Sequence, residues 1–385
     1  MKPFAKIPLQ VPRSGIREIM ALAAEVEDVI HLEVGQPNFP TPAHIVEATC
    51  EFARAGHTQY VANAGVPELR RAAAEYFEQR TGVETGPEHI LVTPGAVMSC
   101  ATAFMALLEP GEEVLLPDPG WPNYGMAVSV LHGQPVSYNL RPENQFLPDL
   151  AELDSLVTAR TKLMVICSPS NPTGQVYDEA LMSGLLEFAR RHDIYFVSDE
   201  IYGDIVFDAK HVSALPYDDD GRTLIISGMS KSYAMTGFRV GFTRATPEYV
   251  ELASKLQEPF VSCGSGFSQL ASVVGLEGDQ GCVAEMRAAY KQRRDAVLEV
   301  LRAHDLYRYT PGGAFYLLVD ISATGRDSRD FALELLAKKK VAVAPGNTFG
   351  AMCSDHVRIS FASTEEDIRE GLGRLCEMIR ELSGG

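Results

Sequence analysis

At 385 residues the chain is long enough for one large or two medium domains with ample core. Hydrophobic residues make up 46% and charged residues 22%, ordinary for a globular protein, and a formal net charge of -17 argues against nucleic acid or an anionic membrane as partner. The 7 cysteines are scattered with no C-x-x-C pair, which sets aside a disulfide scaffold or cysteine-rich zinc site and suits a reducing, cytoplasmic setting.

No apolar run of signal length follows Lys2 and Lys6, and no window approaches a transmembrane span. Residues 1–42 are punctuated by proline and read as an arm or crossover, with a short helix over 14–27 capped by Ser14 and a short strand over 30–34. Helices are predicted over 43–55 and 67–79, with the aromatic Tyr60 in the loop between them. From residue 90 strand and helix signals alternate: strand 90–93, helix 95–108, strand 113–116, then a stop to regular structure at Pro117-Asp118-Pro119-Gly120-Trp121-Pro122. Strand 163–167, helix 178–192 and strands 194–197, 223–226 and 240–243 follow. These are short apolar runs rather than strict alternations, as in a parallel sheet covered by helices on both faces. The informative polar residues come just after strand ends at Thr93, Cys167, Val197 and Ile226, where open α/β sheets carry their ligand crevice.

Helical signals continue over 247–256, 267–276 and 278–304. A strand at 315–319, a helix at 328–339, short strands at 341–344 and 357–361 and a last helix at 365–382 complete the chain. The fold class is therefore α/β: a large domain over 43–285 built as a three-layer sandwich around a mostly parallel central sheet, and a smaller α+β domain over 286–385. Residues 1–42 supply the arm and part of the small domain.

Candidate chemistry centres on Lys231, in Leu-Ile-Ile-Ser-Gly-Met-Ser-Lys just past the strand at 223–226. Burial lowers the pKa of an amine, which is what Schiff-base formation with a carbonyl needs. Ser230 and Arg239 suit a nearby anion; a solvated loop lysine is the plainer alternative. Gly95-Ala96-Val97 lies between a strand and a helix, where small residues and the helix N-terminus favour an anion, although glycine starts many helices. Trp121 is the only tryptophan and is flanked by prolines; it is either core or a flat surface for a planar ring. Asp199 ends a buried strand and needs a partner, either a neighbouring helix terminus or a protonated ring nitrogen. Asn171 is a turn residue or a ligand. Arg358 sits in an apolar strand and either faces solvent or binds a carboxylate bidentately. There is no H-E-x-x-H, the 9 histidines make no zinc-ligand pair, and Gly-Met-Ser-Lys is not a nucleophile elbow. Nothing nearby supports Cys167 as a nucleophile.

Taken together, these stretches resemble the fold-type-I, class I/II aminotransferases that use pyridoxal phosphate, and within them the non-enteric bacterial aspartate aminotransferase subgroup. The resemblance is carried by Val34-Gly35-Gln36-Pro37-Asn38, Thr58-Gln59-Tyr60, Val92-Thr93-Pro94-Gly95-Ala96, Ser168-Pro169-Ser170-Asn171-Pro172-Thr173-Gly174, Ser198-Asp199-Glu200-Ile201-Tyr202, Ser230 through Arg239, Pro311-Gly312-Gly313-Ala314-Phe315-Tyr316 and Arg358-Ile359-Ser360. It implies an enzyme that passes an amino group from an L-amino acid to a 2-oxo acid in two half-reactions. Lys231 would be the Schiff-base lysine and the acid/base, Asp199 the partner of the pyridine nitrogen, and Tyr202 and Asn171 the hydrogen-bond partners of the ring oxygen. Trp121 would stack on the ring. Gly95, Ala96, Ser230 and Arg239 would form the phosphate cup, with Val97 beside it, and Arg358, Asn171 and the backbone at Gly35 would hold the substrate carboxylate. Tyr60 would reach the phosphate of a neighbouring subunit, which implies a homodimer with shared active sites and no metal.

The chain departs from the commoner family pattern at Gln36, Val97, Cys167, Ser170 and Ser227, and it offers no certain cation for a second substrate carboxylate. The motifs are shared by sibling pyridoxal enzymes, so a carbon-sulfur β-lyase or an oxygen-using amino acid oxidase or hydroxylase stands as the alternative.

Overall fold

The computed structural model describes residues 2–12 and 14–384. Met1 and Arg13, part of the expected arm, lie outside the described residues, as does Gly385. The strands among the described residues are β1 (Ile30–His31), β2 (Ile90–Thr93), β3 (Glu113–Asp118), β4 (Gln134–Asn139), β5 (Thr161–Cys167), β6 (Tyr195–Asp199), β7 (Thr223–Gly228), β8 (Gly241–Arg244), β9 (Tyr316–Asp320), β10 (Val341–Ala342), β11 (Ala344–Pro345) and β12 (His356–Ser360).

Seven of them form the central sheet in the order β2-β8-β7-β6-β5-β3-β4. The β4/β3, β3/β5, β5/β6 and β6/β7 pairs are parallel, while β8 runs antiparallel to both β7 and β2. Successive residues of one strand serve opposite cores. Met164, Ile166, Phe196 and Ile225 join the larger core, while Leu163, Val165, Val197, Leu224 and Ile226 join the second. Both faces of the sheet are thus buried under helices, which is why the strands read as unbroken apolar runs. This is the α/β architecture with a large, mostly parallel sheet and a smaller domain that the sequence predicts. In the smaller part, β11, β12 and β9 form an antiparallel sheet, and β1 pairs in parallel with β10, bringing the N-terminal segment onto it. The helix Gly281–Ala303 runs continuously through residue 285, the expected boundary.

Several local expectations are corrected. The first predicted helix is shorter, Gly15–Ala23, and its Ser14 makes no side-chain cap hydrogen bond. The strand expected over 30–34 pairs only at Ile30–His31, and the one expected over 341–344 splits between two sheets. Pro117 does not stop β3, which runs on to Asp118, and a helix starts at Asn123. Strand β4 (Gln-Pro-Val-Ser-Tyr-Asn) escapes detection because it is polar and contains Pro135; proline is tolerated because β4 is the sheet edge.

Candidate active site

The site lies where the sheet's strand ends meet the smaller part. Strand β7 ends at Gly228, where any Cβ would press on Gly241 and Val240 of the returning chain. One helical turn, Met229–Ser232, then presents Lys231. Its Nζ donates to the carbonyl of Gly35 at 2.7 Å. Burial, reinforced by the Arg358 and Arg239 cations, pulls the Lys231 pKa down to about 8, against the opposite pull of Asp199.

Asp199 closes β6 and is buried. Burial pushes its pKa up to about 6, and two hydrogen bonds work against that: Tyr124 Oη donates to Oδ2 at 2.6 Å, and the Ile201 N–H donates to Oδ1 at 3.1 Å. Trp121 packs edge-on to Tyr124, with ring centroids 5.2 Å apart, so the indole stands one ring away from the carboxylate. Tyr202 and Tyr316 share a hydroxyl–hydroxyl hydrogen bond of 2.9 Å, and the Lys231 amine is 5.8 Å from the Tyr202 ring.

Arg358 is 1% exposed in the middle of β12. It donates to Asn171 Oδ1 at 3.1 Å and to the Glu33 carbonyl, and it lies 4.4 Å from the Tyr316 ring and 4.9 Å from the Phe349 ring. It forms no ion pair with a carboxylate among the described residues, and its buried Nε has no partner there. Two of its nitrogens are thus satisfied and the Glu33 carboxylate favours its charge from nearby, which leaves the buried Nε as the donor open to a further acceptor.

Gly95 precedes the helix Ala96–Leu107 with φ +80, a conformation that favours glycine, and a Cβ there would overlap the Arg239 guanidinium. Arg239 donates to the Thr236 carbonyl at 2.8 Å and to the Pro94 carbonyl at 3.5 Å. A Cβ on Gly241 would press into the Gly95–Ala96 backbone. Ser230 is buried on the turn beside Lys231. Missing side chains, a helix N-terminus and an arginine here make a cradle suited to a phosphate. Gly95→Ala is therefore expected to destabilise the protein by about 1–2 kcal/mol and to weaken phosphate-dependent cofactor retention, measured by thermal melts and by equilibrium dialysis against pyridoxal phosphate.

Contacts thus run from Gly35 to Lys231, on to Tyr202 and Tyr316, and from Tyr316 to Arg358 and Asn171, while Arg239 lies against Gly95 at the start of the Ala96–Leu107 helix. Val97 is 39% exposed and Tyr60 is 90% exposed, and the Tyr60 hydroxyl has no hydrogen-bond partner among the described residues. Cys167 is buried, donates to the Pro169 carbonyl at 3.3 Å and has its pKa pushed up by burial, the state of a neutral thiol rather than a nucleophile. Sequence reasoning missed Tyr124, Tyr316 and Phe349. The signal for Tyr124 was its place three residues after Trp121, at the start of the helix Asn123–Val130.

This combination of sheet, lysine turn and anion cradle is that of the pyridoxal-phosphate-binding, fold-type-I enzymes. Residues 27–375 match the family model of class I and II aminotransferases, and the chain belongs to that family. It is 38% identical over 377 residues to the putative aminotransferase YugH of Bacillus subtilis, covering 97% of each chain. It is 37% identical to an aspartate aminotransferase of Pyrococcus horikoshii, covering 97% of this chain and 96% of that one, and 35% identical to aromatic-amino-acid aminotransferase 2 of Thermococcus litoralis, covering 96% of each. The solved aspartate aminotransferase of Thermus thermophilus with maleate superposes with a TM-score of 0.94 at 34% identity, covering 98% of this chain and 100% of that one.

Proposed function

We propose that the protein is a transaminase of the aspartate/aromatic type that moves the amino group of an L-amino acid to a 2-oxo acid by a ping-pong cycle on pyridoxal 5'-phosphate. The observation that carries this is the pairing of an amine with its pKa held near 8, Lys231, with a buried guanidinium whose Nε has no partner among the described residues, Arg358. One group receives an aldehyde or an amino acid's proton, and the other receives the amino acid's carboxylate.

The residues fit the cofactor. Gly95, Ala96 and Arg239, with Val97 and Ser230 alongside, would hold its phosphate, Trp121 would cover its ring, Tyr202 and Asn171 would meet its ring oxygen, and Asp199 its ring nitrogen. The bound cofactor supplies an electron sink for the bond being broken at the substrate Cα. Asp199, an ionised carboxylate in a buried place, keeps a proton on a basic nitrogen opposite it. Arg358 and Asn171 orient the substrate through its carboxylate, which fixes the Cα–H direction. Lys231 Nζ then takes that proton and returns it one position away.

We read the enzyme as a cytoplasmic homodimer in which Tyr60 completes the partner's phosphate site. Its near-complete exposure in a single chain supports that reading.

A panel of L-amino acids added to the cofactor-loaded protein tests the reaction. Formation of the matching 2-oxo acid together with pyridoxamine phosphate is expected. Ammonia with pyruvate and no need for an acceptor would mark a lyase, and oxygen consumption an oxidase. The lowered Lys231 pKa also sets a pH dependence. The free amine is the reactive form, so uptake of pyridoxal phosphate by cofactor-free protein should accelerate as pH rises to about 8 and level off above it. A rate still climbing toward the ordinary lysine range would show that Lys231 is not desolvated.

A further inference from the structure

Asp118 closes β3 and is 7% exposed, and its carboxylate reaches out of the central sheet to the segment that leads into β12. Its Oδ2 accepts the Ala351 N–H and its Oδ1 the Met352 N–H, each at 3.0 Å. Beside them the Gly120 N–H donates to the Phe349 carbonyl at 2.8 Å. Gly350, between the bonded residues, has φ +142, and a Cβ there would overlap the Asp118 carboxylate. Phe349 is 4% exposed and places its ring against the Arg358 guanidinium. A planar cation held by aromatic rings keeps its orientation, and the rings leave its N–H edge available for hydrogen bonds.

We infer that Asp118 is a positioning residue: it spans the gap between the central sheet and the β11-β12-β9 sheet, fixes Phe349 on Arg358, and so aims the free edge of that arginine at an incoming carboxylate. The inference rests on the reading of Arg358 as the carboxylate-binding group. Together with the Gly120–Phe349 backbone bond, the same bridge ties the turn carrying Trp121 to the segment that leads into the strand carrying Arg358.

The test uses protein loaded with pyridoxal phosphate and propionate as a minimal carboxylate probe, with binding followed by cofactor absorbance and by the fluorescence of Trp121, the only tryptophan. Asp118→Ala and Phe349→Leu should each raise the propionate dissociation constant about tenfold, the scale of one charge-assisted hydrogen bond, with cofactor content unchanged. The double variant should be no weaker than the weaker single variant, because both act through one contact. Asp118→Asn, which keeps one acceptor, should recover part of the loss. If Asp118→Ala does not fold, Asp118→Asn and Phe349→Leu carry the comparison. Unchanged propionate affinity in Phe349→Leu, or losses that multiply in the double variant, would overturn the inference. Wild-type protein that binds propionate but transfers no amino group would remove the transamination reading and leave Asp118's role standing.

Discussion

In cofactor-free protein above pH 6, Asp199→Asn is expected to be the more stable form, by up to about 3 kcal/mol, while losing about a thousand-fold in turnover once cofactor is added. The sign follows from the direction of the shift. Burial pushes the Asp199 pKa up to about 6 in the fold, against 3.8 for an aspartate in water. The folded state therefore holds the proton more tightly than the unfolded state, and stability falls as pH rises between those values. Above pH 6 the whole cost of the buried charge is present; below about pH 4 it is absent and the two proteins should melt alike. Asparagine can still accept the Ile201 N–H and, with the Tyr124 hydroxyl turned, donate from Nδ2 to the Tyr124 oxygen, but it offers no charge to a cationic ring nitrogen. Urea unfolding at pH 4, 6 and 8, beside steady-state assays, checks both halves. Equal stability at pH 8 would mean that the fold bears no cost for this carboxylate. A site whose chemistry needs a charge in a dry place is destabilised by it until the ligand arrives.

The second large effect is expected from Lys231→Ala. Removing the amine removes both the covalent anchor and the base, so turnover should fall by about a thousand-fold or more. The absorbance that marks a covalently held pyridoxal should vanish, although the phosphate cradle remains to bind the cofactor reversibly. Full turnover in this variant would end the proposed mechanism. In the proposed cycle Arg358 and Asp199 contribute through position and charge, and Lys231 supplies the atom that carries the proton.

The layered sheet was legible because its strands are buried on both faces, and burial on both faces leaves an unbroken apolar run in sequence. Lys231, Asp199 and Asn171 were legible for a related reason: each lies at or just past a strand end, where a polar residue stands out against the run before it. Strand β4 was not, since an edge strand needs only one packed side and one bonded partner and so keeps a polar composition. The split of residues 341–345 between two sheets was invisible because two-residue strands have no period to read. Tyr124, Tyr316 and Phe349 share a different difficulty. Each acts on another side chain across a gap that the chain closes over long distances, as Tyr124 does on Asp199, and an aromatic residue in a local window looks like core. Arg358 was left between surface and site by sequence; its 1% exposure sets aside the surface-facing alternative.

Strand β2 has no neighbour in the central sheet except β8, and β1 has none except β10. The Gly95 end of the anion cradle and the Gly35 carbonyl that receives Lys231 therefore belong to early parts of the chain whose partners are made late, at residues 241–244 and 341–342. A growing chain on the ribosome can complete β3, β5, β6 and β7 against one another, yet it holds no finished cofactor site until well over four-fifths of its residues have emerged. A chain cut short before β10 is therefore expected to retain no pyridoxal phosphate, since the segment that leads to the Gly35 carbonyl would have lost its partner strand.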